Sequence, residues 1–330
     1  MQKIPLGSAG PLVSRMGLGC MAMSGVYGPA DRAESIATLH RALDAGVTLI
    51  DTGDFYGMGH NELLIAEALK GGKRDSVQLS VKFGAQRGPD GSWVGYDARP
   101  AAVKTWLAYT LQRLGTDHID IYRPARLDPN VPIEETVGAI ADMVKAGYVR
   151  HIGLSEVGPE TIRRAVAVHP ICDLQIEYSL ISRGLEARIL PTVRELGIAI
   201  TAYGVLSRGL ISGHWSKTAG DGDPRRHYPR FARANLDKNL ELVAAIAAIA
   251  RDKGASVAEI ATAWVMAQGP DIVPLIGARK RGQLDESLRA AEVRLDSDDL
   301  ARLEAAVPRD AAAGERYAPP QMANLDSERL

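Results

Sequence analysis

The chain has 330 residues and a mass of 35.4 kDa, with 46% apolar and 24% charged side chains, a balance that excludes an intrinsically disordered protein. Thirty-nine basic against forty acidic residues leave a formal charge of −1, without the basic excess of a protein that binds nucleic acid by neutralising phosphates. Two cysteines, Cys20 and Cys172, cannot make a disulfide framework, no apolar run approaches the ~20 residues of a membrane helix, and the first residues lack a secretory apolar stretch, so a cytoplasmic protein with no membrane and no nucleic-acid partner is expected.

Along the chain, short β-branched or apolar runs alternate with longer segments of helical period. The first run is Met16 to Cys20. A helix is predicted over Ala30 to Ala45, with Ile36, Leu39 and Leu43 on one face, Asp31 and Glu34 at capping-box spacing, and Gly46 as its stop. Run and helix then pair as Val47 to Ile50 with Asn61 to Lys70, Ser76 to Val81 with Arg99 to Leu114, Ile119 to Tyr122 with Ile133 to Ala146, and Val149 to Leu154 with Gly158 to Val168. They continue as Ile171 to Ile176 with Leu185 to Leu196, then Ile198 to Ala202, and last Ile272 to Ile276 with Gly282 to Ala291. Eight such units imply parallel βαβ crossovers and an α/β fold of the closed (β/α)8 TIM-barrel type, a single unit over residues 1–330. The competing doubly wound sheet opens with G-x-G-x-x-G, whereas the first run here ends G-L-G-C-M-A. The seventh unit is long: at about 204–254 it holds a polar stretch from Thr218 to Arg233, read as a functional loop, and an extra helix from Leu236 to Lys253, before another over Val257 to Gln268. The polar tail after Val307 is expected to pack loosely or to cover one end.

In such a barrel, chemistry sits where strands end. The second run leads into I-D-T-G-D-F-Y-G, which sets Asp51 at a strand end and Tyr56 on the loop beyond it; the third leads into S-V-K-F-G, which sets Lys82 at the neighbouring rim position. Alone, Lys82 reads equally well as a surface lysine that snorkels. Beside Asp51 it is compensated, and an ammonium near Tyr56 would lower the phenol from its ordinary value near ~10 and make it a better acid. Arg279, Lys280 and Arg281 crowd a predicted helix start, where cations oppose the helix dipole unless an anion is present. No cluster has the spacing of a metal site.

D-T-G-D-F-Y-G-M-G-H-N-E, S-V-K-F-G, I-G-L-S-E, L-Q-I-E-Y-S-L and I-G-A-R-K-R-G-Q-L-D-E-S occur in an order and spacing that resemble the aldo-keto reductase superfamily, in particular its bacterial branch similar to pyridoxal reductases. The resemblance runs from about Met16 to Ala291. It implies a barrel oxidoreductase that uses NADPH to interconvert a small-molecule aldehyde or ketone and its alcohol. By the same resemblance Tyr56 is the proton donor, Asp51 the carboxylate of its relay and Lys82 the lysine that tunes it. The cofactor would meet Gly19, Cys20, Met21 and Asp51 at the first strands, then Ser155, Glu156 and Gln175 at its carboxamide. Tyr203 would stack on the nicotinamide ring, with Gly204, Leu206, Arg208 and Gly209 toward the pyrophosphate. Gly277, Arg279, Gln283, Glu286 and Ser287 would take the adenosine end, Arg279 on the 2′-phosphate, where a planar fork suits phosphate.

Departures from the family pattern are concentrated in two places. Y-R-P-A-R-L-D-P puts Ala125 where the family has a histidine that polarises the carbonyl, a loss worth about 2.7–4 kcal/mol on the scale of one oxyanion-hole donor. Water, Arg123 or Arg126 could take over that role, or both arginines could face outward and pair with acids. A-Y-G-V-L-S-R-G lacks a hydroxyl at Gly204, and Ser287 stands for a common asparagine. Ala125 keeps an alternative open, an NADPH-binding regulatory or sensor protein with weak catalysis, resembling potassium-channel β subunits. An enzyme working chiefly as an alcohol or sugar dehydrogenase is a second alternative, and a Schiff-base barrel enzyme a third. A homo-oligomer is compatible with all of them. Loops at Gln86 to Asp97 and Thr218 to Arg233, with Trp93 and Trp215, would shape the substrate pocket or be pinned down by those rings.

Overall fold

The computed structural model describes residues 1–215 and 223–329. Eight parallel strands close into a barrel in chain order: β1 (Gly17–Gly19), β2 (Leu49–Gly53), β3 (Gln78–Phe83), β4 (Ile119–Pro124), β5 (Val149–Ser155), β6 (Ile171–Glu177), β7 (Ala199–Tyr203) and β8 (Ile272–Gly277). The sequence period carries over into helices α1 (Arg32–Asp44), α2 (His60–Ala68), α3 (Pro100–Leu114), α4 (Ile133–Lys145), α5 (Pro159–Val168) and α6 (Ile189–Glu195), followed by α7 (Arg233–Asp252), α8 (Val257–Ala267) and α9 (Arg281–Arg289). The strands are buried because helices cover one face and barrel-filling side chains cover the other; every residue of β6 is buried. In α4 the apolar stripe is Ile133, Val137 and Ile140, and its outer face pairs Glu134 with Arg164 of α5 at 2.7 Å. That pair is exposed and adds little to stability.

Strand ends run past the sequence-derived runs. The second and third extend to Gly53 and Phe83, which places Asp51 inside β2 and Lys82 inside β3, one residue short of the end of β3. Polar residues end an apolar pattern without ending a strand. At α1 the Asp31 carboxylate accepts from the Glu34 amide at 2.7 Å, while the Glu34 carboxylate is drawn away to Arg281 of α9 at 2.9 Å.

Three elements have no counterpart in the sequence reading. An N-terminal hairpin, Lys3–Pro5 with Leu12–Ser14, plugs the lower end of the barrel, its Ile4, Leu6 and Val13 packing on Leu49, Ile121, Cys172 and Val273. A second hairpin, Ala85–Arg87 with Trp93–Tyr96, stands on the loop after β3. Strands of three or four residues are too short to show a period. Helix α10 (Ser297–Ala306) starts at a capping box formed by Asp296 and Asp299. The predicted loop from Thr218 lies outside the described residues as far as 222; from Asp223 it folds into short turns at Pro224–His227 and Pro229–Phe231. No helix among the described residues is long and apolar enough to cross a membrane.

Near the mouth, α2 and α3 enclose buried polar atoms without hydrogen-bond partners among the described residues, Glu62 Oε1, Trp106 Nε1 and Thr110 Oγ1, and the Asp54 carboxyl is buried close to Glu62. Burial, reinforced by the Glu62 carboxylate, pushes the Asp54 carboxyl up to about 8. Its folded value therefore lies above the unfolded value of ~3.9, so stability is expected to fall as pH rises from about 4 to 8, where the unfolded chain has released a proton that the folded chain still holds. Asp54→Asn is expected to flatten that slope. Urea midpoints of both proteins at pH 5 and pH 8 measure it, and equal slopes would mean that Asp54 is ionised across the range.

Candidate active site

The upper rim is built by register. Gly19, Asp51 and Ser80 lie side by side on β1, β2 and β3, and Gly53, Lys82 and Arg123 on β2, β3 and β4. The Lys82 ammonium donates to Asp51 Oδ2 at 2.6 Å, while Ser80 Oγ at 2.9 Å and Gln175 Nε2 at 2.8 Å donate to Asp51 Oδ1. Asp51 and Lys82 are both buried, so the pair needs these additional donors to offset desolvation. Burial lowers the lysine, opposed by Asp51 and aided by Arg123.

Tyr56 is buried and is held by an edge-to-face contact with Phe55, centroids 4.8 Å apart, and Lys82 Nζ lies 5.2 Å from its ring centroid. Among the described residues its hydroxyl has no hydrogen-bond partner. The phenol is pushed up from its ordinary value, contrary to the sequence expectation: burial and the Asp51 carboxylate both raise it, and the cation that most opposes them is Arg126. Lys82 is spent on Asp51, so its charge is already matched.

Beneath this group lies a polar layer absent from the sequence reading. Arg123 does not face outward. It is fully buried inside the barrel, its Nη1 donating to Asp173 Oδ2 at 2.9 Å and its Nη2 to Ser80 Oγ at 3.0 Å. Gly153 makes room for it, since a Cβ there would lie 2.5 Å from Asp173 Oδ1 and 3.0 Å from the guanidinium carbon.

Arg126 does not face outward to an acid either. Its guanidinium donates to the Ala125 carbonyl at 2.7 Å and Ser155 Oγ at 3.3 Å, and lies 3.5 Å from the Tyr317 hydroxyl. Ala125 is buried at the end of β4, and His118 lies at the start of that strand, beside Asp117. His60, near Tyr56 in sequence, is exposed and bonds Ser24 Oγ.

The C-terminal tail covers the mouth. Arg316 grips Glu156 with Nη1 at 2.8 Å and Nη2 at 2.6 Å, Ser327 Oγ donates to the same carboxylate at 2.6 Å, and Tyr203 donates to it at 2.7 Å. Burial works against the charged form, but Arg316 outweighs it and holds the Glu156 carboxyl well below the usual range. Tyr317 meets the Tyr203 hydroxyl at 2.9 Å and, with Tyr228, sandwiches Arg208, whose guanidinium carbon lies 4.6 and 4.2 Å from the two ring centroids. Tyr27, from the loop after β1, is electrostatically coupled to the same cluster.

Residues 15–308 match the model of the aldo/keto reductase family. The chain belongs to that family. It is 41% identical over 321 residues, 96% of this chain and 92% of the other, to a probable aldo-keto reductase 1 from Glycine max. Among solved structures it is similar to the glycerol dehydrogenase AKR11B4 from Gluconobacter oxydans, with a TM-score of 0.84 and 29% identity over 92% of this chain and 94% of that one. It is also similar to the holo form of aldo-keto reductase AKR11C1 from Bacillus halodurans, with a TM-score of 0.78 and 25% identity over 96% and 98%. The family's chemistry is oxidoreduction between carbonyl and alcohol.

In this aldo/keto reductase the remaining residues marked in the sequence follow the rim from β1 to α9. Gly19 ends β1, and Cys20 and Met21 begin the turn after it, Cys20 buried. Ser155 and Gln175 are at strand ends but engaged, with Arg126 and Asp51. Gly204 has φ 67°, and a Cβ would lie 2.9 Å from Glu177 Cγ, so glycine is required here whatever hydroxyl it removes. Leu206 precedes Ser207, Arg208 and Gly209, three successive residues with φ of 45°, 57° and 91°. Such left-handed backbone costs ~1–3 kcal/mol for a non-glycine residue and concentrates at ligand sites. Gly277 ends β8 exposed; Arg279 Nη1 donates to the Tyr27 and Gly28 carbonyls at 3.1 and 3.0 Å; Gln283 accepts from the Arg279 amide at 3.3 Å. Glu286 meets His214 at 2.8 Å, and Ser287 is buried. Arg208, in the turn after β7, and Arg279, after β8, are thus two guanidiniums that are not hydrogen-bonded to a carboxylate among the described residues; Arg208 lies 3.7 Å from Glu177. Trp215 packs on Phe231 and Arg225, whereas Trp93 is exposed on its hairpin. Tyr27, Glu177, Arg230, Arg316 and Tyr317 escaped the sequence reading, because tertiary contact alone brings them to the mouth.

Proposed function

We propose that the protein is an NADPH-dependent oxidoreductase that interconverts an aldehyde or ketone and its alcohol, with Tyr56 as the proton donor. The observation that carries this reading is the convergence of a phenol without a hydrogen-bond partner among the described residues, on the loop after β2, with a carboxylate of β2 and an ammonium of β3. Arg208 suits the pyrophosphate and Arg279 the 2′-phosphate, because each is a fork-shaped cation without a hydrogen-bonded carboxylate. Ser155, Gln175 and Tyr203 line the rim where the nicotinamide would be held, and Tyr27 and Tyr317 would have to yield space. When bound, the reduced nicotinamide supplies the hydride. Tyr56 gives its proton to the oxygen on which negative charge develops. Lys82 and Asp51 keep the floor beneath it neutral in sum, while Ser80 and Gln175 hold the Asp51 carboxylate in place. Burial of Tyr56 excludes water from the proton it transfers.

The test follows absorbance at 340 nm with NADPH and a panel of aldehydes, and with NADP+ and alcohols. The likeness to a glycerol dehydrogenase recommends polyols among the latter. NADPH oxidation that requires a carbonyl and fails with NADH supports the reading; equal use of NADH removes the part assigned to Arg279.

A second reading, a cofactor-binding sensor with weak turnover, is favoured by Ala125. Ala125→His separates the two. It is expected to raise kcat for a neutral aldehyde by about 10–100-fold, within the value of one oxyanion-hole donor. An unchanged kcat would assign carbonyl polarisation to a group already in place.

A further inference from the structure

The cations and acids at the mouth do not balance in pairs. Glu156 is taken by Arg316, Ser327 and Tyr203. Glu177 accepts from Ser182 at 2.8 Å and faces Arg230 at 3.4 Å, Arg208 at 3.7 Å and Arg316 at 3.7 Å. Arg126 is left over. It is only partly exposed, its hydrogen-bond partners are a carbonyl and the hydroxyls of Ser155 and Tyr317, and no carboxylate lies within ion-pair distance of it among the described residues. A guanidinium withdrawn from water onto neutral partners loses hydration that only an anion restores. Its charge also bears on both Tyr56 and Lys82, the groups of the reacting end.

We infer that Arg126 is the receptor for an anionic substituent of the substrate, so that the preferred carbonyl compounds carry a carboxylate or phosphate group within a few bonds of the carbonyl carbon. This deepens the proposed reduction and rests on it for the reaction, but not for the anion site. Three features support it. Arg126 Nη1 bonds the Ala125 carbonyl at 2.7 Å, which holds the guanidinium next to the backbone of the position that lacks the histidine. Its fork keeps donors beyond those used on Ala125 and Ser155, and a fork takes carboxylate or phosphate through two parallel bonds. The Tyr317 hydroxyl accepts from Arg126 Nη2 at 3.5 Å, a long bond to a neutral group that an anion would replace with a stronger one. Lysine would present a point charge without that geometry.

The experiment compares kcat/KM for three anionic aldehydes of increasing reach, glyoxylate, 4-oxobutanoate and 4-carboxybenzaldehyde, each against its neutral methyl ester. It uses the wild-type chain, Arg126→Met and Arg126→Lys. At least one acid is expected to exceed its ester by about 10- to 100-fold, the scale of a charge-assisted hydrogen bond, with the ratio falling to near one in Arg126→Met and partly kept in Arg126→Lys. A parallel calorimetric titration with 4-(hydroxymethyl)benzoate and the other two hydroxy acids reads binding without turnover, and binding is expected to be lost in Arg126→Met. The inference is overturned if no acid is preferred or bound over its ester. It is equally overturned if the preference survives Arg126→Met, or if that variant slows acid and ester alike, which would make Arg126 a carbonyl-polarising group. Arg126-dependent binding without turnover of any carbonyl would leave the anion site standing and remove the reductase reading instead.

Discussion

Tyr56→Phe is expected to lower kcat for carbonyl reduction by about 10²–10⁴-fold, the span of a positioned general acid, while NADPH affinity and folding stability stay near wild type. The substitution is clean for a structural reason. The phenol oxygen has no hydrogen-bond partner among the described residues, so its removal breaks nothing in the ground state, and the ring keeps its edge contact with Phe55 and its place beside Lys82. The lost group therefore matters only where an alkoxide is being formed. Because burial and Asp51 hold the phenol above its ordinary value, it stays protonated through the neutral range and reduction should not decline with rising pH on its account. Single-turnover rates together with quenching of intrinsic fluorescence by NADPH separate chemistry from binding. Wild-type kcat in the variant would take the proton-donor role away from Tyr56.

Arg123→Leu is expected to destabilise the fold by about 3–5 kcal/mol, the cost of stranding one member of a buried ion pair. Both partners are fully enclosed, and among the described residues Asp173 would keep only the side chains of Thr201, at 2.6 Å, and Cys172, at 3.3 Å. Arg123→Leu combined with Asp173→Leu is expected to recover most of the loss, because the charge and its counter-charge leave together. Urea unfolding of the two single variants and the double variant gives the coupling. A loss below about 1 kcal/mol in Arg123→Leu would mean that the barrel interior solvates Asp173 by other means. The single variant also removes the donor to Ser80 Oγ, and Ser80 orients Asp51, so its kcat should fall further than its stability alone explains.

The barrel was legible in the sequence because each unit repeats the same physical statement, an apolar run followed by a 3.6-residue stripe. Asp51, Tyr56 and Lys82 were legible as rim residues because charge at the end of an apolar run is unusual, and the structure brings the three together. What escaped lies in side chains whose significance depends on distant partners. Arg123 stood open between a carbonyl-polarising group and an outward-facing cation, since nothing near it in the chain announces Asp173, fifty residues on, or the missing side chain at Gly153. Gln175 and Ser155, expected at the nicotinamide carboxamide, also bond Asp51 and Arg126, partners that nothing near them in the chain announces. The tail offered no periodicity at all, and only tertiary contact makes Arg316 and Tyr317 part of the mouth.

The chain's two ends attend to opposite openings of the cylinder. The leading hairpin stoppers the floor, and the trailing segment is latched above the chemistry through Arg316 and Ser327. A purification tag or reporter fused ahead of Met1 is therefore held a full barrel height from the reacting groups. The same cargo fused behind Leu330 follows within a few residues of the latch, next to Ser327 and the carboxylate it holds.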